Sequence, residues 1–198
     1  MILKTSRKEI VLRKKELRKS DIEAEFSMIE RNRENFSRFH FWMVEFAVSI
    51  EKLTVYQKIF NYDVLHFLIE YHEKIVGVVG LHSISKTSKK AEMEYYLDKD
   101  YSKKGIMTEA VAALIKHSFE ALELNKVIIK VTTNNEASQK IPQRLGFTLE
   151  GVLRSEYFWR DEYLDCLYFS LLRSEYEANF PKVNERIVMC YISKMVKK

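Results

Sequence analysis

Ala91-Glu92-Met93-Glu94-Tyr95-Tyr96-Leu97-Asp98-Lys99-Asp100-Tyr101-Ser102-Lys103-Lys104-Gly105-Ile106-Met107-Thr108-Glu109-Ala110 is the stretch whose reading decides the fold. Residues 92–97 read as a strand, which puts Glu92, Glu94 and Tyr96 on one face and Met93, Tyr95 and Leu97 on the other. A basic turn with one glycine follows, and an apolar stripe at helical spacing (Val111, Leu114, Ile115, Phe119, Leu122) then predicts a helix over about 107–122. The first N–H groups of such a helix have no intrahelical acceptor, so a turn that turns them outward beside Lys103 and Lys104 suits an anion such as a pyrophosphate.

Working outward, residues 126–133 read as a buried strand. The strand, helix, strand passage therefore implies one parallel, right-handed crossover. Upstream, Val64–Tyr71 and Ile75–Ser83 form a hairpin about His72-Glu73-Lys74. Downstream, Thr148–Trp159 and Glu162–Arg173 are two strands joined by Arg160-Asp161, and a helix near Glu136–Leu145 stops at Gly146. Pro142 either bends that helix by withholding an N–H from the Ser138 carbonyl, or starts a shorter helix as a good first-turn residue. Among the first 76 residues, which contain no Gly or Pro, Glu9–Arg13 reads as a short strand. Ser20-Asp21-Ile22-Glu23 reads as a capping box opening a helix to about Asn32, and Glu51–Asn61 as a second helical region. The five aromatics of Phe36–Phe46 either line a cleft or pack into the core or a dimer contact. The fold class is α/β, in α+β layers.

Composition narrows the function. A hydrophobic content of 46% with 13% aromatics excludes a disordered tail protein. Met1–Glu9 lacks the apolar core of a signal peptide, and no run of about 18 apolar residues occurs, so a cytoplasmic protein with no membrane partner is expected. Cys166 and Cys190 form no CxxC, the five histidines have no ligand spacing, and no metal site is expected. Residues 1–19 carry eight Lys/Arg against two Glu, and residues 177–198 five against two. The net charge of +5 thus sits at the ends, without the interleaved aromatics of a nucleic-acid platform. These ends are set apart as a basic N-terminal arm (1–8) and a basic C-terminal appendage (177–198) around a domain at 9–176.

Four segments in order carry a resemblance to a known family. They are Ile75-Val76-Gly77; Ala91–Leu97; Lys103-Lys104-Gly105-Ile106-Met107-Thr108-Glu109-Ala110; and Asn135-Glu136-Ala137-Ser138 running to Leu145-Gly146-Phe147. The chain resembles the GNAT superfamily of acetyl-CoA-dependent N-acetyltransferases, and within it the RimJ/RimL-like type that acetylates N-terminal amines of ribosomal proteins. The resemblance implies a GNAT fold: a mixed, mostly antiparallel central sheet with one splayed parallel strand pair, flanked by helices. It also implies that the turn is the family's pyrophosphate loop. Of the marked positions in Q/R-x-x-G-x-G/A only Gly105 is kept, with Ser102 and Met107 departing from the pattern.

The same resemblance assigns acetyl-CoA contacts to Tyr96, Leu97, Lys103, Lys104, Gly105, Ile106, Met107, Thr108, Asn135 and Ser138, with an amide near Leu97 polarising the thioester carbonyl. A substrate ammonium must lose a proton before it attacks, so a carboxylate is expected in the cleft. Glu94 ranks first for that role, ahead of Glu92 and Glu156. Ser138 is placed to approach the thiol, and Tyr157 to protonate the leaving thiolate or line the pocket. The acceptor implied is a protein N-terminal amine, with a small amine (polyamine, aminoglycoside or amino-acid derivative) as the alternative. An acetyl-CoA-binding or ribosome-associated protein without catalysis is a third reading, and a homodimer is left open.

Overall fold

The computed structural model describes residues 1–59 and 64–179, with the side chains of residues 41 and 42 outside that description. The expected end of the second helical region (60–61) and most of the C-terminal appendage (180–198) also fall outside it. The described residues build an eight-stranded sheet in the order β1-β2-β3-β4-β5-β6-β8-β7. Its strands are β1 (Ile2–Lys4), β2 (Ile10–Lys14), β3 (Leu65–Tyr71), β4 (Lys74–Ser85), β5 (Lys90–Leu97), β6 (Lys126–Thr132), β7 (Thr148–Trp159) and β8 (Glu162–Leu172). Six neighbouring pairs are antiparallel and one, β5 with β6, is parallel. The edge strand β1 comes from within the segment read as a basic arm, where it pairs with β2.

Helices α1 (Lys19–Arg31), α2 (Arg33–Phe39), α3 (Phe41–Phe46) and α4 (Ile50–Ile59) cover one face, and α5 (Ile106–Glu120) and α6 (Glu136–Arg144) the other. Strand alternation divides the core between them. Leu68, Val78 and Tyr96 stand in register across β3, β4 and β5 and pack with Ile22, Met28, Ile29 and Phe36 from the first face. Phe67, Val79, Met93 and Tyr95 face the stripe of α5, whose Val111, Leu114, Ile115 and Phe119 are fully buried. Each such side chain contributes about 1.5–3 kcal/mol of burial. Leu122, expected on the same stripe, lies beyond the helix end and is exposed.

The capping box does not form. The helix begins at Lys19, so Ser20 lies inside its first turn and the cap position is Arg18, with no side-chain cap bond. The cause is tertiary. Arg13 on β2 donates both guanidinium amines to the buried Asp21 carboxylate at 2.9 Å and its Nε to Glu70 at 2.6 Å, which docks the first turn onto β2 and β3. Tight turns link the two hairpins: His72 and Glu73, and Arg160 and Asp161, all have positive φ, as a two-residue turn matched to the sheet twist requires.

Candidate functional site

The parallel pair opens after three residues. β5 and β6 are paired from Lys90↔Lys126 to Glu92↔Ile128. Beyond that β5 stays with β4 as far as Leu97, while β6 stays with β8 as far as Thr132. The Asp98 N–H donates to the Val76 carbonyl at 2.8 Å, so by antiparallel alternation Tyr96 also bonds towards β4. The backbone groups of Tyr95 and Leu97 then face the opening. Tyr96, expected among the cofactor contacts, lines the cleft with its ring while its backbone groups turn to β4.

Both helices that follow these strands begin at the same end of the sheet. At α5, Gly105 is the cap residue with φ 76°, a left-handed conformation glycine adopts without cost, and Lys103 is also left-handed at φ 61°. The side chains of Ile106, Met107 and Thr108 are buried, while Lys103 and Lys104 are exposed. The Arg7 guanidinium donates to the Lys104 carbonyl at 2.8 Å, and the Lys104 ammonium sits 4.8 Å above the Tyr101 ring. Between strand and turn, Asp98 is anchored by Arg31 at 2.9 Å and accepts from the Asp100 amide at 3.1 Å. Burial pushes its pKa up, but Arg31 and that amide outweigh it and hold Asp98 below the usual carboxylate range.

At α6, Asn135 caps the helix by accepting from the Ser138 amide at 3.2 Å. Pro142 lies inside this helix, which therefore starts at Glu136 and not at the proline, and it withholds the N–H that would bond to the Ser138 carbonyl. Tyr95 makes up the loss from across the opening. Its hydroxyl donates to the Ser138 carbonyl at 3.2 Å and accepts from the Ser138 hydroxyl at 3.1 Å. Sequence reasoning gave Tyr95 no role, and its pairing with a carbonyl freed by a proline 47 positions away had no signal in spacing.

A cleft of about 980 Å³ joins the opening to the α1–α4 face. Its lining includes Glu94, Tyr95, Thr132, Asn135, Ser138 and Tyr157, but not the Gly105 turn. Glu92 and Glu156, the lower-ranked bases, are both held by Lys130, at 3.4 and 3.0 Å. Burial raises the Tyr157 hydroxyl to about 12, so it holds its proton at neutral pH. Glu94 keeps 24% of its side-chain surface, and its Oε1 lies 2.8 Å from His66 Nε2. Burial pushes the Glu94 pKa up, while the His66 contact and the nearby His66, His82 and His40 rings pull it lower, with a net shift below the usual carboxylate value. Deeper in, Glu25 accepts from the Tyr96 hydroxyl at 2.5 Å and from Gln57 at 3.1 Å, and pairs with Lys15 at 2.6 Å. Among the described residues no group of three or more His, Cys, Asp or Glu could hold a metal ion, and no helix is long and apolar enough to cross a membrane.

A mixed sheet that opens at the one parallel pair among the described residues, with two helix N-termini at the mouth, defines a layered α/β fold with a free backbone edge inside its cleft. The chain belongs to the acetyltransferase (GNAT) domain family, whose model matches residues 10–148. It is 38% identical over 108 residues to a putative ribosomal N-acetyltransferase, YdaF, of Bacillus subtilis, a match covering 54% of this chain and 59% of that one. It is 34% identical over 110 residues to the ribosomal-protein-serine acetyltransferase of Escherichia coli, covering 55% and 62%. The chain thus spans about three fifths of the length of these curated relatives. Among solved structures, the microcin C7 self-immunity acetyltransferase MccE, in complex with acetyl-CoA and AMP, superposes with a TM-score of 0.77 at 28% identity, over 84% of this chain and 93% of that one.

Proposed function

We propose that the protein transfers the acetyl group of acetyl-CoA directly to a primary amine, and that the amine is the N-terminus of a protein, of the ribosomal type. The observation that carries this reading is the opened β5–β6 pair, whose free backbone edge at Tyr95 and Leu97 lies between two helix N-termini. The parts fit the donor. The first-turn amides of Ile106, Met107 and Thr108, with Gly105 and the Lys103 and Lys104 charges, would hold the pyrophosphate. The edge of Tyr95 and Leu97 and the start of α6 at Asn135 would pair with the pantetheine amides, and the Leu97 amide would stabilise the oxyanion at the thioester carbon. Ser138 and Tyr157 would serve as proton donors to the leaving thiolate, and the Glu94–His66 pair as proton acceptor from the amine, all of them in the lining of one cleft. A ribosomal-protein acceptor places the reaction in the cytoplasm.

A first experiment tests the donor site alone. At about 100 times its dissociation constant, acetyl-CoA adds about 2.7 kcal/mol to the folded state. For a chain of this length that raises the melting temperature by roughly 5–10 °C. Gly105→Glu places a carboxylate and a left-handed strain in the turn, and its melting temperature should not respond. If acetyl-CoA leaves the wild-type melting temperature where it was, the donor assignment is wrong.

A further inference from the structure

His66, Gly80 and Glu94 stand side by side on β3, β4 and β5, in register on the face that carries the cleft. A side chain normally separates the outer two. Gly80 removes it: a Cβ there would lie 1.9 Å from His66 Cδ2 and 2.9 Å from Nε2. The imidazole therefore lies flat over the middle strand and brings Nε2 to 2.8 Å from Glu94 Oε1. The approach is close but off the line of an ideal hydrogen bond, a looseness common in sites that tighten around substrate.

The ring edge against Gly80 is Cδ2 with its neighbours Nε2 and Cγ, so Nδ1 lies on the opposite edge, away from the sheet. Nδ1 has no hydrogen-bond partner among the described residues, and His66 lines the cleft. A histidine held at one nitrogen by a carboxylate with the other free is the arrangement of a general base. The carboxylate keeps the tautomer and steadies the imidazolium, and the free nitrogen takes the proton.

The remaining groups around the pair are otherwise engaged. His40 is packed between the Phe36 and Tyr96 rings, and burial lowers it to about 4. His82 Nδ1 is bonded to the Ser83 hydroxyl at 3.1 Å. Burial raises Tyr56 to about 12, Tyr96 is bonded to Glu25, and Lys15 is paired with Glu25.

We propose that His66 is the general base of the amine acetylation, with Glu94 as the residue that positions it and Gly80 as the gap that lets them meet. The proposal rests on the acetyltransferase reading above. The bound ammonium gives one proton to His66 Nδ1, and the imidazolium is held by Glu94 and later returns the proton to solvent. The neutral amine attacks the thioester carbon, the C–N bond forms and the C–S bond breaks. The second amine proton leaves with the sulfur as the thiol, by way of the Ser138 and Tyr157 side.

Two measurements test this, and the first needs no acceptor. Long-range 1H–15N NMR of histidine-labelled protein, with the signal assigned through His66→Gln, should show neutral His66 protonated at Nε2 and bare at Nδ1. That preference should be lost in Glu94→Gln and in Gly80→Ala. A proton on Nδ1 in the wild type, or a tautomer indifferent to both substitutions, overturns the proposal. The second follows acetylation of spermidine and of a peptide beginning with serine. His66→Gln should lose about 10²–10⁴-fold in kcat and the acid limb of its pH profile, with the KM for acetyl-CoA unchanged. Glu94→Gln should lose about tenfold, and His82→Gln little. A loss in Glu94→Gln as large as in His66→Gln would make the carboxylate the base. Melting in the presence of acetyl-CoA separates the two readings: if the wild type is not stabilised, the transferase reading fails, whereas the tautomer result judges the pair by itself.

Discussion

Gly77→Ala puts the geometry of the opened strand pair to a quantitative trial. A Cβ at Gly77 would lie 2.5 Å from the Tyr96 carbonyl oxygen, 3.0 Å from Leu97 Cδ1 and 3.3 Å from Ile69 Cδ1. The first of these is backbone and has no rotamer to retreat into. To restore an ordinary contact of about 3.4 Å the strands must part by roughly 0.9 Å. The neighbouring bond from Asp98 N–H to the Val76 carbonyl, now 2.8 Å, would then stretch out of hydrogen-bonding range. One or two lost ladder bonds at about 0.5–1.5 kcal/mol each, added to an overpacking cost of about 1–3 kcal/mol, give a destabilisation of about 1.5–6 kcal/mol. For a chain of this size that lowers the melting temperature by roughly 3–24 °C. The displacement also pushes β5 into the opening, and an error near 1 Å at the Leu97 amide should cost about 10²-fold in kcat. Scanning calorimetry with thiol-release kinetics reads both effects. Gly151→Ala is the control, since nothing lies within 4 Å of a Cβ there and the change should stay within about 0.5 kcal/mol. A Gly77→Ala protein that melts with the wild type, or no lower than Gly151→Ala, would show that the close approach at Gly77 does not set the strand spacing.

Tyr95→Phe leaves the Ser138 carbonyl without a donor, because Pro142 cannot supply one. It should cost about 1–3 kcal/mol in urea unfolding and clearly less in a Pro142→Ala background, where the amide at position 142 is restored; equal costs in both would break the link. Glu25→Ala strips Lys15, Tyr96 and Gln57 of a shared buried partner and should destabilise by about 3–5 kcal/mol, with a fall of less than 1 kcal/mol counting against the buried network. Burial holds His40 neutral, with a folded value of about 4 against 6.5, so the unfolded chain binds the extra proton in that window. The stability this confers is complete above pH 6.5 and declines as the pH falls towards 4. Between pH 7.5 and 5 the wild type should lose about 1–2 kcal/mol more than His40→Phe, and parallel losses would show that His40 is not the cause.

The local signals that survived are those set by backbone chemistry. The strand, turn and helix of residues 91–110 were legible because alternation, a left-handed glycine and an apolar stripe are each local, and β5, Gly105 and α5 follow them closely. The capping box at Ser20 was misread because Arg13, distant until the sheet forms, pulls Asp21 into the first turn. What separates Glu94 from Glu92 and Glu156 was invisible in the chain, since Lys130 pairs with the other two only once the strands are assembled. His66 stood out in the chain only as one of five histidines without ligand spacing, because its meaning depends on register: only when β3 and β4 pair does it lie beside a glycine, and only through β5 does that glycine lead to Glu94. Tyr95 was hidden for the same reason, since its partner carbonyl is freed by a proline on another element.

Direct acetyl transfer is tested most plainly by release of the CoA thiol from acetyl-CoA on adding peptides that carry the N-terminal sequences of ribosomal proteins, with mass detection of the product. Direct transfer requires that thiol appear only when a free amine is present, one for each acetyl group found on the peptide N-terminus. Thiol released at the same rate without any amine, or an acetyl group lodged on the protein itself, would contradict direct transfer in the opened cleft.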